Sequence, residues 1–399
     1  MPKGGPDGGD GGRGGDVILR ADRHVDSLTN LFYEPIIKAK NGGHGRGKKM
    51  HGRSAPAKVV KVPVGTIVWR AEPRAVILSE VEGSRDVTLK VSPRDSSTSL
   101  GMTLSGFVIW PSKSMIKSKS KRLRELIAKG AIMMPGVPNA SMARQVERLG
   151  FDAVYISGAG MANATAGVPD IGLLTLTEVA QLAGYIARAV KIPAIVDADT
   201  GFGGSENVAR TVRELETAGL AGCHIEDQEF PKRCGHLAGK SLIDVDEMTE
   251  KIKAAVDARH DPDFMIVART DARAVEDFDR TVDRAQRYLQ AGADAIFPEA
   301  LQNAEEFRDF AKKVDKPLLA NMTEFGKSPL LSFKELAGFG YRMVIFPQTA
   351  FRVSMKASHK LLRALRESGT QREWLDQMQT REELYKLLDY DPTAEKWLG

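Results

Sequence analysis

From about residue 120 onward, short apolar runs alternate with segments whose apolar residues recur every three to four positions. Segments such as residues 176–190 and 206–219 have the period of amphipathic helices, and the short runs are typical of buried strands. The runs span residues 131–137, 152–157, 193–199, 222–228, 264–270, 295–299, 317–323 and 343–347. Eight strands that each precede a helix predict a (β/α)8 barrel of the TIM type over residues 115–399, with further helices at the C-terminus.

Polar residues concentrate where the apolar runs end, and in such a barrel these positions build the mouth of the active site. They are Ser157, Asp197, Asp199, Glu226, Asp227, Arg269, Asp271, Glu299, Asn321 and Thr323. A doubly wound sheet is the competing architecture, because SGAGMAN at residues 157–163 partly imitates a dinucleotide-binding loop. Asn163 stands where that loop would need its third glycine.

The pattern is lost before residue 115. Residues 1–70 are rich in glycine, and residues 71–114 are rich in Ser, Arg, Asp and Thr without a clear apolar face, which predicts a disordered linker. The abrupt change in character suggests an accidental fusion or a mis-assigned start, with Met115 as the natural first residue. Residues 42–49 nearly match a phosphate-binding loop, but Lys49 occupies the position of the magnesium-binding hydroxyl, so a glycine-rich turn is the simpler interpretation.

Composition narrows the possible partners. The chain has 399 residues, a net charge of +5 and a pI near 9.0, which favours anionic metabolites without indicating nucleic acid. It has two cysteines, which argues against a disulfide framework and fits a reducing cytoplasm. An apolar segment of the roughly 20 residues that a membrane helix needs is missing from the sequence, so we expect no membrane partner.

The stretch CHIEDQEFPKRCGH at residues 223–236 carries the clearest chemical signal. Cys234 is flanked by Lys232, Arg233 and His236, and neighbouring cations are expected to lower the pKa of a thiol and prepare it for acid or nucleophile chemistry. Asp197, Asp199, Glu226 and Asp227 follow two adjacent strands and would suit a hard divalent cation. Cys223 lies in an apolar run and is expected to be a buried core residue.

Several motifs lie in the order and spacing of one known family: YISGAG, VDADTGFG, HIEDQ, KRCGH, ARTDA, FPEA, ANMTEFG and MQTREELY. Over residues 118–396 the chain resembles the 2-methylisocitrate lyases of the isocitrate lyase and phosphoenolpyruvate mutase superfamily. Residues 1–70 separately resemble the glycine-rich domain of Obg-type GTPases.

The first resemblance implies Mg²⁺ at Asp197, Asp199 and Glu226, with Asp199 or Glu226 acting through water, while Asp227 instead orients loop amides. It implies retro-aldol cleavage of a tricarboxylate, 2-methylisocitrate, to pyruvate and succinate in the methylcitrate cycle of propionate catabolism. The implied substrate-binding residues are Ser157, Gly158, Ala159, Gly235, Arg269, Glu299, Asn321, Met322, Thr323, Arg352 and Arg381. Among these, Arg269 would clamp a carboxylate bidentately, whereas packing is the simpler role for Met322 and surface ion pairs remain an alternative for Arg352 and Arg381.

The resemblance assigns the proton donor to Cys234, with Lys232 and His236 as further catalytic residues. His236 is expected to be a donor that positions the substrate or the thiol. Tyr155 is the first candidate for the general base, and Asp170 and Lys232 remain open as alternatives.

Two other functions are compatible with the sequence. Isocitrate lyase acts on a substrate that differs by one methyl group, although this chain reads KRCGH where isocitrate lyases usually read KKCGH. A ribosome-binding module, based on the Obg-like segment, would lose its activity on truncation before Met115. The family resemblance also implies a homotetramer in which residues 349–390 pack on a neighbouring subunit.

Overall fold

The computed structural model describes residues 16–21, 37, 39–41, 53–62, 66–70, 75–77, 88–91, 107–111, 118–237 and 239–393. The chain divides into two compact units, Met1–Ile116 and Lys117–Gly399. The phosphate-loop-like residues 42–49 lie outside the described residues, and so does most of the predicted linker at 71–114.

The described part of the first unit consists of short strands in two sheets. In one sheet, β1 (Val17–Ala21) lies between the parallel β2 (Lys58–Val62) and the antiparallel β5 (Thr88–Val91). In the other, β3 (Thr66–Arg70) pairs antiparallel with both β4 (Ala75–Ile77) and β6 (Phe107–Pro111). Three of these strands, β4, β5 and β6, fall inside the segment that composition predicts to be a linker.

The second unit is a barrel of eight parallel strands, as the alternation of apolar runs and helical segments predicts. The strands are β7 (Ile132–Pro135), β8 (Val154–Ile156), β9 (Ala194–Asp197), β10 (Gly222–Glu226), β11 (Met265–Thr270), β12 (Ala295–Pro298), β13 (Leu319–Asn321) and β14 (Met343–Phe346). Parallel pairs join β8 to β12 in sequence order and β13 to β14 to β7. Bridges from Gly136 to Tyr155 and from Ile296 to Leu318 connect these two groups and close the ring.

Helices cover the outside of the barrel. The main ones are Lys119–Lys129, Ala140–Arg148, Leu176–Ala189, Ser205–Thr217, Val245–Ala258, Phe278–Gln290, Ala304–Lys313, Phe333–Phe339, Thr349–Ser368 and Arg381–Leu387. Most begin at a side-chain cap that satisfies a free backbone N–H, as Thr175 and Glu178 do through a reciprocal capping box. Among the described residues, no helix is both long enough and apolar enough to cross a bilayer.

The strands separate two apolar layers because successive side chains of a strand point to opposite faces. On β10, Cys223 and Ile225 join the layer between strands and helices, as expected for Cys223. A second layer fills the barrel interior and includes Tyr155, Ile195 and Phe297. The helix Lys119–Lys129 contributes to this interior layer from the amino end of the strands, so that end of the barrel is closed by apolar packing.

Candidate active site

The carboxyl ends of neighbouring strands bring charged side chains together at one mouth of the barrel. Asp197 ends β9, Glu226 ends β10, Arg269 lies near the end of β11 and Glu299 follows β12. Parallel strands place these ends at the same edge, and all four residues are buried. The mouth is therefore a water-poor cluster of charges, which is unusual unless the charges are paired or used in chemistry.

Arg269 lies at the centre of this cluster. Its Nη1 lies 3.1 Å from Glu226 Oε2 and its Nη2 lies 3.4 Å from Glu299 Oε2. Its Nε and Nη2 donate to both oxygens of Asp271, at 2.9 and 3.2 Å. The sequence led us to expect a bidentate pair between Arg269 and a substrate carboxylate. In the structure Arg269 makes this pair with Asp271, which lies two residues further along the chain.

The three predicted metal ligands offer a set of oxygen atoms that suits a hard cation. Glu226 Oε1 is buried without a hydrogen-bond donor. Two other oxygens in this set have cations as partners, since Arg269 Nη1 lies 3.1 Å from Glu226 Oε2 and Lys232 Nζ lies 2.8 Å from Asp199 Oδ1. Burial raises the pKa of Glu226 well above its usual value and that of Asp199 to about 6. A bound cation would reverse both effects, so these residues fit Mg²⁺.

The carboxylates do not form a tight direct cage. Within the described ranges, no group of three His, Cys, Asp or Glu side chains is arranged to hold a metal ion. Asp197 is already an acceptor from the backbone N–H of Asp199 at 3.0 Å and of Gly158 at 3.3 Å. Mg²⁺ usually retains several waters and binds few carboxylates directly, so contact partly through water is compatible with this arrangement.

Lys232 is directed at the acidic cluster. Its Nζ lies 2.8 Å from Asp199 Oδ1 and also pairs with Asp170. Burial by itself would lower the pKa of Lys232, but Asp199 and Glu226 raise it well above its ordinary value. Lys232 is therefore a fixed cation in the mouth of the barrel and is protonated.

The prediction that neighbouring cations lower the pKa of Cys234 is wrong. Burial raises the pKa of this thiol, and the opposing hydrogen bond from the His236 backbone is the smaller effect. The ammonium group of Lys232 pairs with the carboxylates of Asp170 and Asp199. The side chain of Arg233 is exposed, and its backbone N–H donates to the side chain of Gln228. Neither neighbouring cation therefore lowers the pKa of the thiol, which keeps its proton at neutral pH.

The loop that carries Cys234 is seated against Arg269 and Glu299. A Cβ atom placed on Gly235 would lie 2.6 Å from Glu299 Cγ and would also overlap the Arg269 guanidinium. His236 fixes the other side of the loop, since its Nδ1 accepts from the backbone N–H of Lys327 at 3.0 Å and its Nε2 lies 3.1 Å from Glu299 Oε1. With Nδ1 as acceptor, the ring proton is on Nε2 and faces Glu299. His236 is thus a donor, and in the structure it positions Glu299.

Tyr155 does not have the surroundings of a general base. Its hydroxyl lies 2.8 Å from His224 Nε2, and burial together with the charge of Asp197 raises its pKa well above the ordinary value. Burial also lowers the pKa of His224 to about 4, so the imidazole is neutral. The tyrosine retains its proton, which argues against the first choice made from the sequence.

The remaining predicted substrate-binding residues on the strand ends and loops differ in their surroundings. Ser157 caps the short helix Gly158–Met161, where its Oγ accepts from Gly160, and Ala159 is half-buried. Asn321 donates to Glu299 at 3.2 Å, and Thr323 is buried beside it along the chain. Met322 belongs to the outer apolar layer, as the simpler interpretation held.

The two C-terminal arginines differ. Arg352 donates to the carbonyl of Glu324 at 2.7 Å and lies over the ring of Phe325, which places it at the loop that follows β13. Arg381 is exposed at the start of the helix Arg381–Leu387. That helix is anchored to the helix Ala140–Arg148 by ion pairs of Arg144 and Arg148 with Asp389. Among the described residues, no contact joins Arg381 to the charged cluster.

Sequence reasoning missed His224 and Lys240, and it named Asp271 without a role. His224 precedes Glu226 by two positions on β10, so strand alternation places both inside the barrel. Lys240 Nζ lies 2.6 Å from Asp271 Oδ1 and also binds the carbonyl of Gly235. Asp227 accepts the backbone N–H of Asp271 at 2.9 Å, which confirms the expected role of Asp227 in orienting loop amides.

Comparison with known proteins identifies relatives for both units. The phosphoenolpyruvate phosphomutase family model matches residues 123–366, and the GTP1/OBG model matches residues 1–91. A 2-methylisocitrate lyase of Aeropyrum pernix is 56% identical over 269 residues, which cover 67% of this chain and 86% of that protein. A 2-methylisocitrate lyase of Shewanella oneidensis is 46% identical over 283 residues, covering 71% and 97% of the two chains.

Solved structures show the same fold. A 2,3-dimethylmalate lyase of the same superfamily matches with a TM-score of 0.65 and 36% identity, covering 68% of this chain and 91% of that one. A phosphonopyruvate hydrolase solved with oxalate and Mg²⁺ matches with a TM-score of 0.63 and 30% identity, covering 68% and 95%.

Proposed function

The chain belongs to the 2-methylisocitrate lyase family, within the phosphoenolpyruvate phosphomutase family, and from this premise we propose that it cleaves 2-methylisocitrate to pyruvate and succinate. The reaction breaks the bond between carbons 2 and 3, so the enzyme is a carbon–carbon lyase. Its place would be the methylcitrate cycle of propionate catabolism. The two cysteines in the chain are both free, which fits a cytoplasmic location.

Cleavage moves charge through the substrate in two directions. The hydroxyl on carbon 2 loses its proton and becomes the carbonyl of pyruvate, while the bonding electrons pass to carbon 3 and form an enediolate of succinate. Mg²⁺ held by Asp197, Asp199 and Glu226 would supply positive charge to the hydroxyl oxygen and the adjacent carboxylate. The fixed cations Lys232 and Arg269 would offset the charge on the substrate carboxylates.

Cys234 supplies the proton that completes the succinate half. Since burial raises the pKa of the thiol, it is protonated at neutral pH and can act as an acid toward carbon 3. The thiolate that results regains its proton, equivalent to the one released from the hydroxyl, before the next turnover. A thiol with a lowered pKa, as the sequence suggested, would be protonated in a smaller fraction of the molecules at neutral pH.

Two of the three candidates for the general base are excluded because they keep their protons. Tyr155 and Lys232 both keep their protons, since their pKa values are raised well above the ordinary ones. Asp170 is the candidate that remains, and its pairing with Lys232 holds it in the mouth of the barrel. We assign the base to Asp170.

The observation that carries this proposal is the close seating of the Cys234 loop on Arg269 and Glu299 at Gly235. The test is an assay of the full chain with Mg²⁺ that follows pyruvate from 2-methylisocitrate and glyoxylate from isocitrate. We expect pyruvate to form at least about tenfold more efficiently, since one methylene in a pocket contributes about 10- to 200-fold. We also expect EDTA to stop turnover and Mg²⁺ to restore it. Faster release of glyoxylate, or turnover unaffected by EDTA, would contradict the proposal.

The chain outside the barrel has a separate role in this proposal. We divide the chain into an Obg-like segment at 1–70, a linker at 71–114 and the lyase barrel at 115–399, with turnover belonging to the barrel alone. Removal of residues 1–114 is expected to leave lyase turnover unchanged within about twofold. Loss of turnover on truncation would instead support a function based on the Obg-like segment.

We also propose that the enzyme is a tetramer that associates through its C-terminal helices. None of the residues in the helix Thr349–Ser368 is buried, and Val353, Met355 and Leu362 are more than half exposed. Large apolar side chains exposed along one helix are typical of an interface. Analytical ultracentrifugation at micromolar concentration tests the assembly, and a monomer would refute it.

A further inference from the structure

Lys240 is a buried cation outside the catalytic set described above. It lies at the end of the loop that carries Cys234, and its side chain is 1% exposed. Its ammonium group has two partners in the structure, the carbonyl of Gly235 and Asp271 Oδ1, the latter at 2.6 Å. A lysine is rarely buried unless it is paired, so this contact fixes the side chain in one position.

The two partners of Lys240 belong to different parts of the site. Gly235 is the residue after the proposed proton donor, and Asp271 is the carboxylate that binds Arg269 bidentately. Asp271 is fully buried, and its own backbone N–H donates to Asp227 at 2.9 Å. Asp271 is therefore fixed by contacts on both its side chain and its backbone, and a loop attached to it through Lys240 is held in a defined place relative to Arg269.

The backbone at Gly235 is packed tightly against the charged side chains of the site. The glycine approaches Glu299 and Arg269 so closely that one added carbon would overlap both. A backbone carbonyl that is buried in this way needs a hydrogen-bond donor, because without one the Gly235 carbonyl would be more stable in contact with water. Lys240 supplies that donor in a charge-assisted hydrogen bond.

We propose that Lys240 is a positioning residue that joins the Gly235 carbonyl to the Asp271 carboxylate and so holds the Cys234 thiol in register with the Arg269 guanidinium. The proposal rests on the lyase function proposed above for the role of the thiol. The contact itself is independent of that function. Loss of Lys240 would leave the mouth of the barrel intact and release the loop.

The test uses Lys240→Met, which keeps the length and packing of the side chain and removes its charge. Iodoacetamide is the probe, because it alkylates accessible thiols and Cys223 is fully buried. The substitution removes a hydrogen bond to a charged group, so we expect the rate of Cys234 alkylation to rise by about 10- to 100-fold. We expect kcat to fall by a similar factor while KM changes less, since the donor and not the binding groups is displaced.

The matched control is Lys253→Met, which removes an exposed lysine paired with Glu250 at 2.8 Å and should leave both rates within about twofold of the parent. Lys240→Arg restores a charged donor and should recover part of both effects. If Lys240→Met does not fold, Lys240→Gln takes its place, with thermal unfolding as the check. Combined with Asp271→Asn, the substitution should be clearly less than additive, because both remove the same contact.

Alkylation and kcat that are unchanged in the folded Lys240 variant would overturn the proposal, and so would additive effects with Asp271→Asn. Failure of the proposed function is a different result. In that case the parent enzyme shows no lyase turnover, while the alkylation rate still reports whether Lys240 holds the loop.

Discussion

At the amino end of the barrel, the helix Lys119–Lys129 places Leu123 and Ile127 against the interior apolar layer. At the carboxyl end, the same strands carry Asp197, Glu226 and Arg269 at or next to their last positions, and these charges are buried. Apolar burial stabilises the first end, whereas at the second end the desolvation of buried charges lowers stability. The two ends of one set of strands thus separate folding from chemistry, and substitutions should affect one without the other.

Ionic contacts also differ between the two ends. Arg124, on the amino-end helix, binds Asp294 at 2.8 Å while about a third of its side chain is exposed. Arg269 at the carboxyl end is surrounded by Glu226, Asp271 and Glu299 and is buried. The partly exposed pair is screened by water and contributes little to stability. The buried cluster has much stronger electrostatics, which is the condition that catalysis on a charged substrate requires.

The largest expected effect is at Cys234. Cys234→Ser replaces the thiol with a hydroxyl, which is a much weaker acid, and should lower kcat by about a thousandfold, a typical contribution of a positioned general acid. Substrate binding and the thermal midpoint should stay close to the parent. Steady-state kinetics measure kcat, isothermal titration measures substrate binding, and thermal unfolding measures the midpoint.

The control for this prediction is Cys223→Ala, which removes the other thiol from the outer apolar layer. It should lower stability slightly and leave kcat within about twofold. A Cys234→Ser enzyme that retains more than a tenth of the parental kcat would remove the thiol from the mechanism.

The amino end is tested by Leu123→Ala. Leu123 is fully buried, and its truncation should lower the free energy of unfolding by about 3 kcal/mol, within the range for buried leucines. Denaturant titration of the barrel measures this loss, and KM and kcat should remain unchanged at 25 °C. Leu149→Ala, at a leucine that is 77% exposed, is the control and should cost less than about 0.5 kcal/mol.

Gly235→Ala sharpens the comparison at the carboxyl end. The added methyl group would overlap Arg269 and Glu299, so the loop cannot seat, and kcat should fall by about a hundredfold through misplacement of the donor. Gly130→Ala at the amino end is the matched control, because a Cβ there has no atom within 4 Å and the backbone is extended. Equal kinetic effects of the two substitutions would mean that the seating of Gly235 has no catalytic role.

The smallest expected effect is at the start of the amino-end helix. Ser118 caps this helix by accepting from the backbone N–H of Lys121 at 3.1 Å. Ser118→Ala should lower the free energy of unfolding by about 1 kcal/mol without a change in kcat, and Ser118→Asp should restore stability because it keeps the acceptor. A kinetic effect of Ser118→Ala would show that the two ends are coupled.

The sequence by itself determined the barrel, because strand and helix periods are local properties and eight pairs of them leave few arrangements. It also placed Asp197, Glu226, Arg269 and Glu299 at the mouth, since the ends of parallel strands share one edge of the barrel. The motif around Cys234 identified the thiol loop in the same way. None of these inferences requires knowledge of which side chains touch.

Only the tertiary structure decided the protonation of the thiol and the partners of the cations. Lys232 and Arg233 are the two residues before Cys234, yet Lys232 is bound to Asp199 and Arg233 is exposed. Lys240 and Asp271 are 31 positions apart and form a buried pair. Burial and the direction of a side chain depend on every element that packs around it, so a pKa or a long-range ion pair follows from the folded arrangement and not from the order of residues.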